Sequence, residues 1–562
     1  MAGTDAATAQ DAPPPRSDTR TVIAASAAGT AFEWYDFFIF GALAPVISRS
    51  FTGGDDTAGF IFALGAFAAG FGVRPLGALF FGRYGDRIGR KAAFLATITL
   101  MGVATVLIGL LPDYAAIGAA APVLLVLLRI VQGFALGGEY GGAAIYVAEH
   151  ANRDKRGAST AWIQGTAAVG LIVALAVILL TRTVLGSMQD AGMVADGAFD
   201  RWGWRIPFLA SGLLLAVSLW IRMRLEESPA FQKIKAEGKV SKAPFAESFG
   251  RWENLRLVLL ALVAIMFAQG AVWYAGHFYA QFFLERVLRV PSATVNGLMI
   301  AAVVCSAPMY VFFGRLSDKV GRKPVMLFGM ILAAVLYFPG FHWLTAAANP
   351  QLDAAQQRAP VTVVADPADC GALFDPLGRN RYVSGCDVAR NALATQGISY
   401  ETVAGAAGRP AVVRVGETVV PIRPLRGLST AEAAAGKAAN DAAVRAALTA
   451  AGYPTVANPG PGDLALVLGV LVLFMVAATA LYGPQAAALV ELFPTRIRYT
   501  ALSVPYHIGT GWVGGFLPFT AFAMVAAAGD VYIGLWYPLA FTVISILATL
   551  FLLPETKGRD IG

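Results

Sequence analysis

Apolar stretches long enough to cross a bilayer recur along the whole of this 562-residue chain, and no other feature restricts its fold so severely. Roughly 30 Å of hydrocarbon takes about 20 helical residues at about 1.5 Å each. Twelve stretches qualify: 22–48, 58–81, 91–111, 121–148, 158–185, 205–224, 255–284, 293–315, 324–345, 462–490, 499–526 and 531–553. Lipid offers no partner to a bare N–H or C=O, so each stretch is expected to be a helix. Thirty prolines and sixty glycines are compatible with that, because neighbouring helices can satisfy the freed backbone groups. Only 14% of residues are charged and 57% are hydrophobic, whereas soluble domains carry about 25% charged residues. The chain reads as an all-α membrane protein in contact with a lipid bilayer. Disorder and collagen drop out, and so does nucleic acid as a partner, because the basic residues behind the +7 charge fall between apolar spans rather than in one patch.

Lys and Arg in alternate short loops set the orientation. One set of loops holds Arg83, Arg87, Arg90 and Lys91; Arg153, Lys155 and Arg156; Arg222, Arg224, Lys233, Lys235, Lys239 and Lys242; Lys319, Arg322 and Lys323; and Arg496 and Arg498. These loops are expected in the cytoplasm, and twelve spans then put both termini there. The first span is not a signal peptide on this reading, since Asp5, Asp11 and Asp18 precede it and Glu33 and Asp36 lie within it.

An internal repeat divides the chain. Gly82-Arg-Tyr-Gly-Asp86-Arg-Ile-Gly89-Arg90-Lys91 returns 232 residues later as Gly314-Arg-Leu-Ser-Asp318-Lys-Val-Gly321-Arg322-Lys323. Each copy follows the second span of a six-span half. A weaker echo relates Glu149, Arg153 and Arg156 to Glu491, Arg496 and Arg498 at an offset of 342 residues. The larger offset places roughly 110 extra residues between the two motifs of the second half, and a polar stretch of that length lies at 346–461. The expected organisation is a cytoplasmic tail 1–21, a six-helix bundle 22–224, a cytoplasmic loop 225–254, helices seven to nine in 255–345, an extracytoplasmic α+β module 346–461, helices ten to twelve in 462–553, and a cytoplasmic tail 554–562. Within the module, β-rich runs at 361–365 and 411–420 precede a helix at about 430–451, with Ser429 and Glu432 as a capping box and Gly452 and Pro454 as its stop. Cys370 and Cys386 can form a disulfide in an oxidising compartment, and Cys305 reads as a buried small residue.

Further strings accompany the loop motif: Phe32-Glu33-Trp34-Tyr35-Asp36-Phe37, Val73-Arg74-Pro75-Leu76-Gly77, Arg129-Ile-Val-Gln132-Gly133, Gly137-Gly138-Glu139-Tyr140-Gly141-Gly142, Arg224-Leu-Glu226-Glu227-Ser228-Pro229, Glu491-Leu-Phe-Pro494-Thr495-Arg496-Ile-Arg498 and Pro554-Glu555-Thr556-Lys557. With these in place the chain resembles the major facilitator superfamily, and within it the metabolite:proton symporter branch of shikimate, α-ketoglutarate, citrate and proline/betaine transporters. The resemblance implies two pseudo-symmetric six-helix bundles around a midplane cavity, and a bacterial inner membrane. It also implies a gating role for Asp86, Arg90, Asp318 and Arg322, with Asp86 near the start of span eleven. The long insertion departs from the family's compact pattern.

Ionisable residues inside apolar spans mark candidate sites. Asp36 lies roughly 21 Å in from the cytoplasm and Arg129 roughly 12 Å in from the outside, so across roughly 30 Å they share a level and can pair. Glu33, one turn away, can share that site. Arg129 is the expected partner in proton coupling, a role the resemblance attaches to the arginine of span four, or a clamp for a substrate carboxylate. Glu139 reads either as a gate or as a structural hydrogen-bonding group, and Arg74 as structural. Cavity candidates are Tyr35, Gln269, Trp273, Tyr274, His277, Gln485, Tyr506 and His507. The four histidines are scattered, so no metal site is expected. No phosphate-binding loop, nucleophile elbow or zincin string occurs, which gives neither an ATP-driven pump nor an enzyme a foothold. The expected function is import of a small polar metabolite with a proton and no cofactor, an organic acid anion ahead of a zwitterion such as proline or betaine. A transporter-like sensor using the module is the other class.

Overall fold

The computed structural model describes residues 19–51, 56–224, 226–371 and 383–561. Most of the expected N-terminal tail, Asp55 of the first external loop and Leu225 lie outside them.

The first half contributes α1 (Thr19–Phe51), α2 (Asp56–Arg87), α3 (Arg90–Leu110), α4 (Ala120–His150), α5 (Arg156–Asp190) and α6 (Arg205–Met223). The second begins with α7 (Trp252–Val287), α8 (Ser292–Val320) and α9 (Arg322–Ala348). Among the described residues nine helices are long and apolar enough to cross a membrane, and helices also occupy the first, second and eleventh expected spans. Both copies of the loop motif turn through a glycine that permits the joint: Gly89 has φ 139° and Gly321 φ 111°, backbone that L side chains rarely adopt.

Close helix approach explains the glycine-rich string of α4. A Cβ on Gly137 would lie 2.2 Å from the Arg74 carbonyl oxygen, and one on Gly133 would lie 2.1 Å from that of Gly70. Glycine therefore lets α2 and α4 meet backbone to backbone.

Between α9 and the next long helix the chain builds a separate layer. Strands β1 (Val361–Ala365), β2 (Glu401–Ala404), β3 (Val412–Val415) and β4 (Thr418–Pro421) form one sheet in the order β2-β1-β3-β4. β1 pairs with β2 in parallel and with β3 antiparallel, with Val363 opposite Thr402 and Val413. The run expected at 411–420 is two strands rather than one, because Gly416 at φ 56° turns the chain. Two helices cover the sheet, α10 (Gly385–Thr395) and α11 (Thr430–Ala450). The latter starts at a capping box of Ser429 and Glu432, and Cys370 is disulfide-bonded to Cys386. Arg289 ties this layer to the end of α7, donating to the carbonyls of Pro454 (2.7 Å) and Gln396 (2.7 Å).

The chain then returns through α12 (Pro461–Leu492), α13 (Arg498–His507), α14 (Leu517–Ala528) and α15 (Trp536–Phe551). The halves meet where α2, α4 and α5 face α8, α12 and α13. Two of the helices nearest the cavity candidates widen into π turns, α7 at Ala261–Met266 and Ala275–Tyr279, and the segment after α13 at Ile508–Gly514. Such bulges re-aim side chains and occur often at functional sites. Cys305 is exposed on α8 rather than buried; apolar composition cannot separate a lipid-facing helix surface from a core-facing one.

Candidate functional site

Two repeats of one design close one end of the helices of each half against the other. Asp86 accepts from the first N–H groups of α13, Tyr499 N (3.1 Å) and Thr500 N (2.8 Å), and Asp318 accepts from those of α5, Gly157 N (2.8 Å) and Ala158 N (2.8 Å). Each carboxylate thus sits at the positive end of a helix in the opposite half. Arg90 and Arg322 hold them from one turn on, at 3.1 and 2.6 Å. The weaker echo completes the design as exchanged ion pairs: Glu149 with Arg498 at 2.6 Å, and Glu491 with Arg156 at 2.9 Å. Glu227 and Glu555 finish it, accepting from the first N–H groups of α3 and α9. Arg156 and Arg498, counted above as loop charges, are buried partners in this layer.

Above it, inside the first half, lies the intramembrane carboxylate. Asp36 is 7% exposed; Ser211 Oγ donates to its Oδ1 (2.5 Å) and Thr105 Oγ1 to its Oδ2 (3.1 Å). It does not form the direct pair expected with Arg129. Arg129 Nη1 donates to Gln132 Oε1 (2.8 Å), and Gln132 Nε2 donates to Thr105 (2.7 Å), so two side chains separate the charges. Equal depth made the pair plausible, but Arg129 is turned over the Phe40 ring at 3.9 Å. Glu33 pairs with Arg222 at 2.8 Å, and Arg222, read as a loop charge, is 1% exposed. Both Glu139 oxygens are buried without a hydrogen-bond donor.

Between the halves runs a wall of rings and amides. Trp34 faces Trp273 at 6.1 Å, Phe71 faces Tyr274 at 6.2 Å, and Tyr140 stacks on Tyr506 at 3.6 Å. Trp273 Nε1 donates to Tyr310 (3.3 Å), and the Tyr482 and Tyr506 hydroxyls bond at 2.8 Å. Gln485 Nε2 reaches Met266 Sδ (3.3 Å), while Gln269 Oε1 and Gln485 Oε1 are buried without a donor among the described residues, and His507 is buried beside the Gly137 backbone and Arg74. Arg74 projects into this wall over the Phe71 ring (4.0 Å), beside Tyr274, Tyr506 and Glu139. It makes no ion pair among the described residues.

Two cavity candidates fall elsewhere. Tyr35 is fully buried within the first half, its hydroxyl donating to the Pro207 carbonyl (2.7 Å). His277 stacks on Trp273 (4.5 Å) and bonds its carbonyl (2.8 Å), so its Nδ1 is satisfied locally. No cluster suited to a metal ion occurs among the described residues.

Residues 26–352 match the family model of the Major Facilitator Superfamily, and residues 442–561 that of the Sugar (and other) transporter family. The inner membrane metabolite transport protein YhjE of Escherichia coli K12 is 35% identical over 370 residues, 65% of this chain and 80% of that one. The E. coli K12 shikimate transporter is 35% identical over 59% of this chain and 74% of its own length. For the proline/betaine transporter of Salmonella typhimurium LT2 the identity is 34%, over 57% of this chain and 64% of that one. Among solved structures, the proton:xylose symporter XylE bound to 6-bromo-6-deoxy-D-glucose shares the fold with a TM-score of 0.59 at 16% identity, over 97% of each chain. The family match spans the whole first half and the start of the second, and the chain belongs to the major facilitator superfamily.

Proposed function

We propose that this protein imports a small carboxylate-bearing metabolite together with a proton, by alternating access between two six-helix halves with twelve crossings in all. The observation that carries the reading is Arg74. It is a guanidinium between the halves, held by the Tyr274 hydroxyl with no carboxylate paired to it among the described residues, in a wall where the Gln269 and Gln485 amide oxygens lack donors among the described residues. Buried polar groups without partners call for an explanation, and a polar ligand supplies one. A guanidinium fork suits a carboxylate, the group common to shikimate, proline and betaine, which relatives of this chain are named for. Asp36, with Glu33 nearby, is the proton carrier on this reading, and Arg129 orients Asp36 through Gln132 and Thr105. The location that fits is a bacterial inner membrane, with both termini inside and the sheet-bearing layer outside.

A zwitterion is the second reading, favoured by the Trp34 and Trp273 faces near Arg74, which suit an ammonium group. Uptake of labelled organic acids and betaines into proteoliposomes separates the two. Arg74→Lys keeps the charge and loses the fork. It is expected to raise the KM of the transported compound about 30-fold, the equivalent of about 2 kcal/mol; an unchanged KM would remove Arg74 from the site.

A further inference from the structure

A second pair of carboxyl groups lies between Asp36 and the cytoplasmic gate. Glu33 is one turn from Asp36 on α1, and its Oε1 accepts from Arg222 Nη2 at 2.8 Å. Glu139 of α4 meets it side chain to side chain. All three are buried, with Glu139 at 1% exposure, Glu33 at 5% and Arg222 at 1%. Among the described residues no N–H or O–H reaches either Glu139 oxygen. Arg222 lies over the Phe94 ring at 3.5 Å, in a slot left open by Gly29, where a Cβ would fall 2.1 Å from Nη2. The other charged groups facing the pair are Asp36 on α1 and Arg74 on α2, and from the opposite half Tyr499 presents its hydroxyl.

Hydrogen counting decides the state of the pair. With both carboxyls ionised, Glu139 would be a buried anion with no donor among the described residues. A single hydrogen held between Glu139 and Glu33 satisfies both carboxyls and leaves the group neutral with Arg222. Of two carboxyls in contact in a water-poor site, one can hold a hydrogen that the other accepts.

The pair also has a route at each end. Glu33 and Asp36 line one small cavity, about 10 Å³, together with Ser211, Met101 and Leu215. That is about the room of one water, which can carry a proton between them. On the other side Tyr499 donates to the carbonyl of Gly138 (2.7 Å), the residue before Glu139, while its backbone N–H is held by Asp86 in the gate. Opening the gate withdraws Tyr499 with the second half.

We propose that Glu33 and Glu139, held by Arg222, are a second proton-binding site, and that Tyr499 uncovers it to the cytoplasm when the gate opens. The pair's proton then leaves to cytoplasmic water, and the Asp36 proton moves onto the pair through the small cavity. The place of this site in the cycle rests on the symport reading; the shared hydrogen does not.

The test uses the full-length protein and has two parts. Infrared spectra of the purified protein at neutral pH are expected to show a protonated-carboxyl band that loses intensity in Glu139→Gln, the remainder belonging to Asp36. Glu33→Gln reads the same pair from α1, so a Glu139 variant that fails to fold leaves the test intact. In proteoliposomes, Glu139→Gln is expected to lower gradient-driven accumulation about tenfold relative to substrate counterflow. An unchanged carboxyl band in the variants, or wild-type accumulation by Glu139→Gln, overturns the proposal. A wild-type protein that shows the band yet transports nothing would sink the symport reading and leave the shared proton standing.

Discussion

Asp36→Asn is expected to abolish uphill uptake while leaving substrate exchange in place. The reason lies in the hydrogens around Asp36. Thr105 Oγ1 accepts from Gln132 and has one hydrogen for two acceptors, Asp36 Oδ2 at 3.1 Å and the Met101 carbonyl at 2.9 Å. When Asp36 carries a proton it can donate to Thr105, whose hydrogen then goes to Met101; when it is ionised, Thr105 turns toward it. A carboxyl can alternate between these arrangements, whereas an asparagine amide is held in the first. With one proton per substrate, an inward gradient of one pH unit supports about tenfold accumulation. Asp36→Asn is expected to equilibrate substrate without concentrating it. Counterflow in the same vesicles checks that the protein is folded and the substrate site intact.

The second large effect is expected at the gate. Asp86 is wholly buried and accepts from Tyr499 N, Thr500 N, Thr500 Oγ1 and Arg90 Nη1 at 2.8 to 3.1 Å. Three of these donors belong to the opposite half, so the bonds exist only while the two halves are closed at this end. Asp86→Asn removes the charge that faces the α13 terminus and leaves Arg90 beside Glu149 at 3.8 Å alone. Weakening the bonds that the two N–H groups and the Thr500 hydroxyl make across the halves to a charged acceptor costs about 1.5–3 kcal/mol, which shifts the closed-to-open ratio by about 10- to 100-fold. Distances between spin labels at the exposed positions Arg87 and Lys319 would report it as a wider separation in Asp86→Asn. An unaltered distance distribution would mean that Asp86 does not hold the halves together.

The crossed layer of carboxylates and arginines is the part of the structure most legible in the sequence. Asp86, Arg90, Asp318 and Arg322 announce themselves as a repeat, and the fainter echo at Glu149 and Glu491 carried the crossed ion pairs too, although its arginines were counted as loop charges. Such counting misled because a basic residue at a span's end can turn inward as well as outward: Arg222 folds back over Phe94 to reach Glu33. Depth along a helix is readable from residue number, but the direction around its axis is not. Asp36 and Arg129 lie at similar depth yet point to different neighbours, and Tyr35, next to Asp36, faces Pro207 rather than the other half. Arg74 was hidden for the same reason, since only the approach of α7 and α13 shows that it faces Tyr274 and Tyr506. In the sheet-bearing layer the capped helix is readable because Ser429, Glu432 and Gly452 act locally, whereas the turn at Gly416 and the short exposed strand β2 leave no such mark in the apolar runs.

Substrate entry that carries a proton with it must show as proton movement. Adding a transported compound to wild-type proteoliposomes with no imposed gradient, and following pH on both sides, is expected to alkalinise the outside and acidify the lumen in step with substrate uptake. Uptake of the same compound with no accompanying pH change would contradict that coupling.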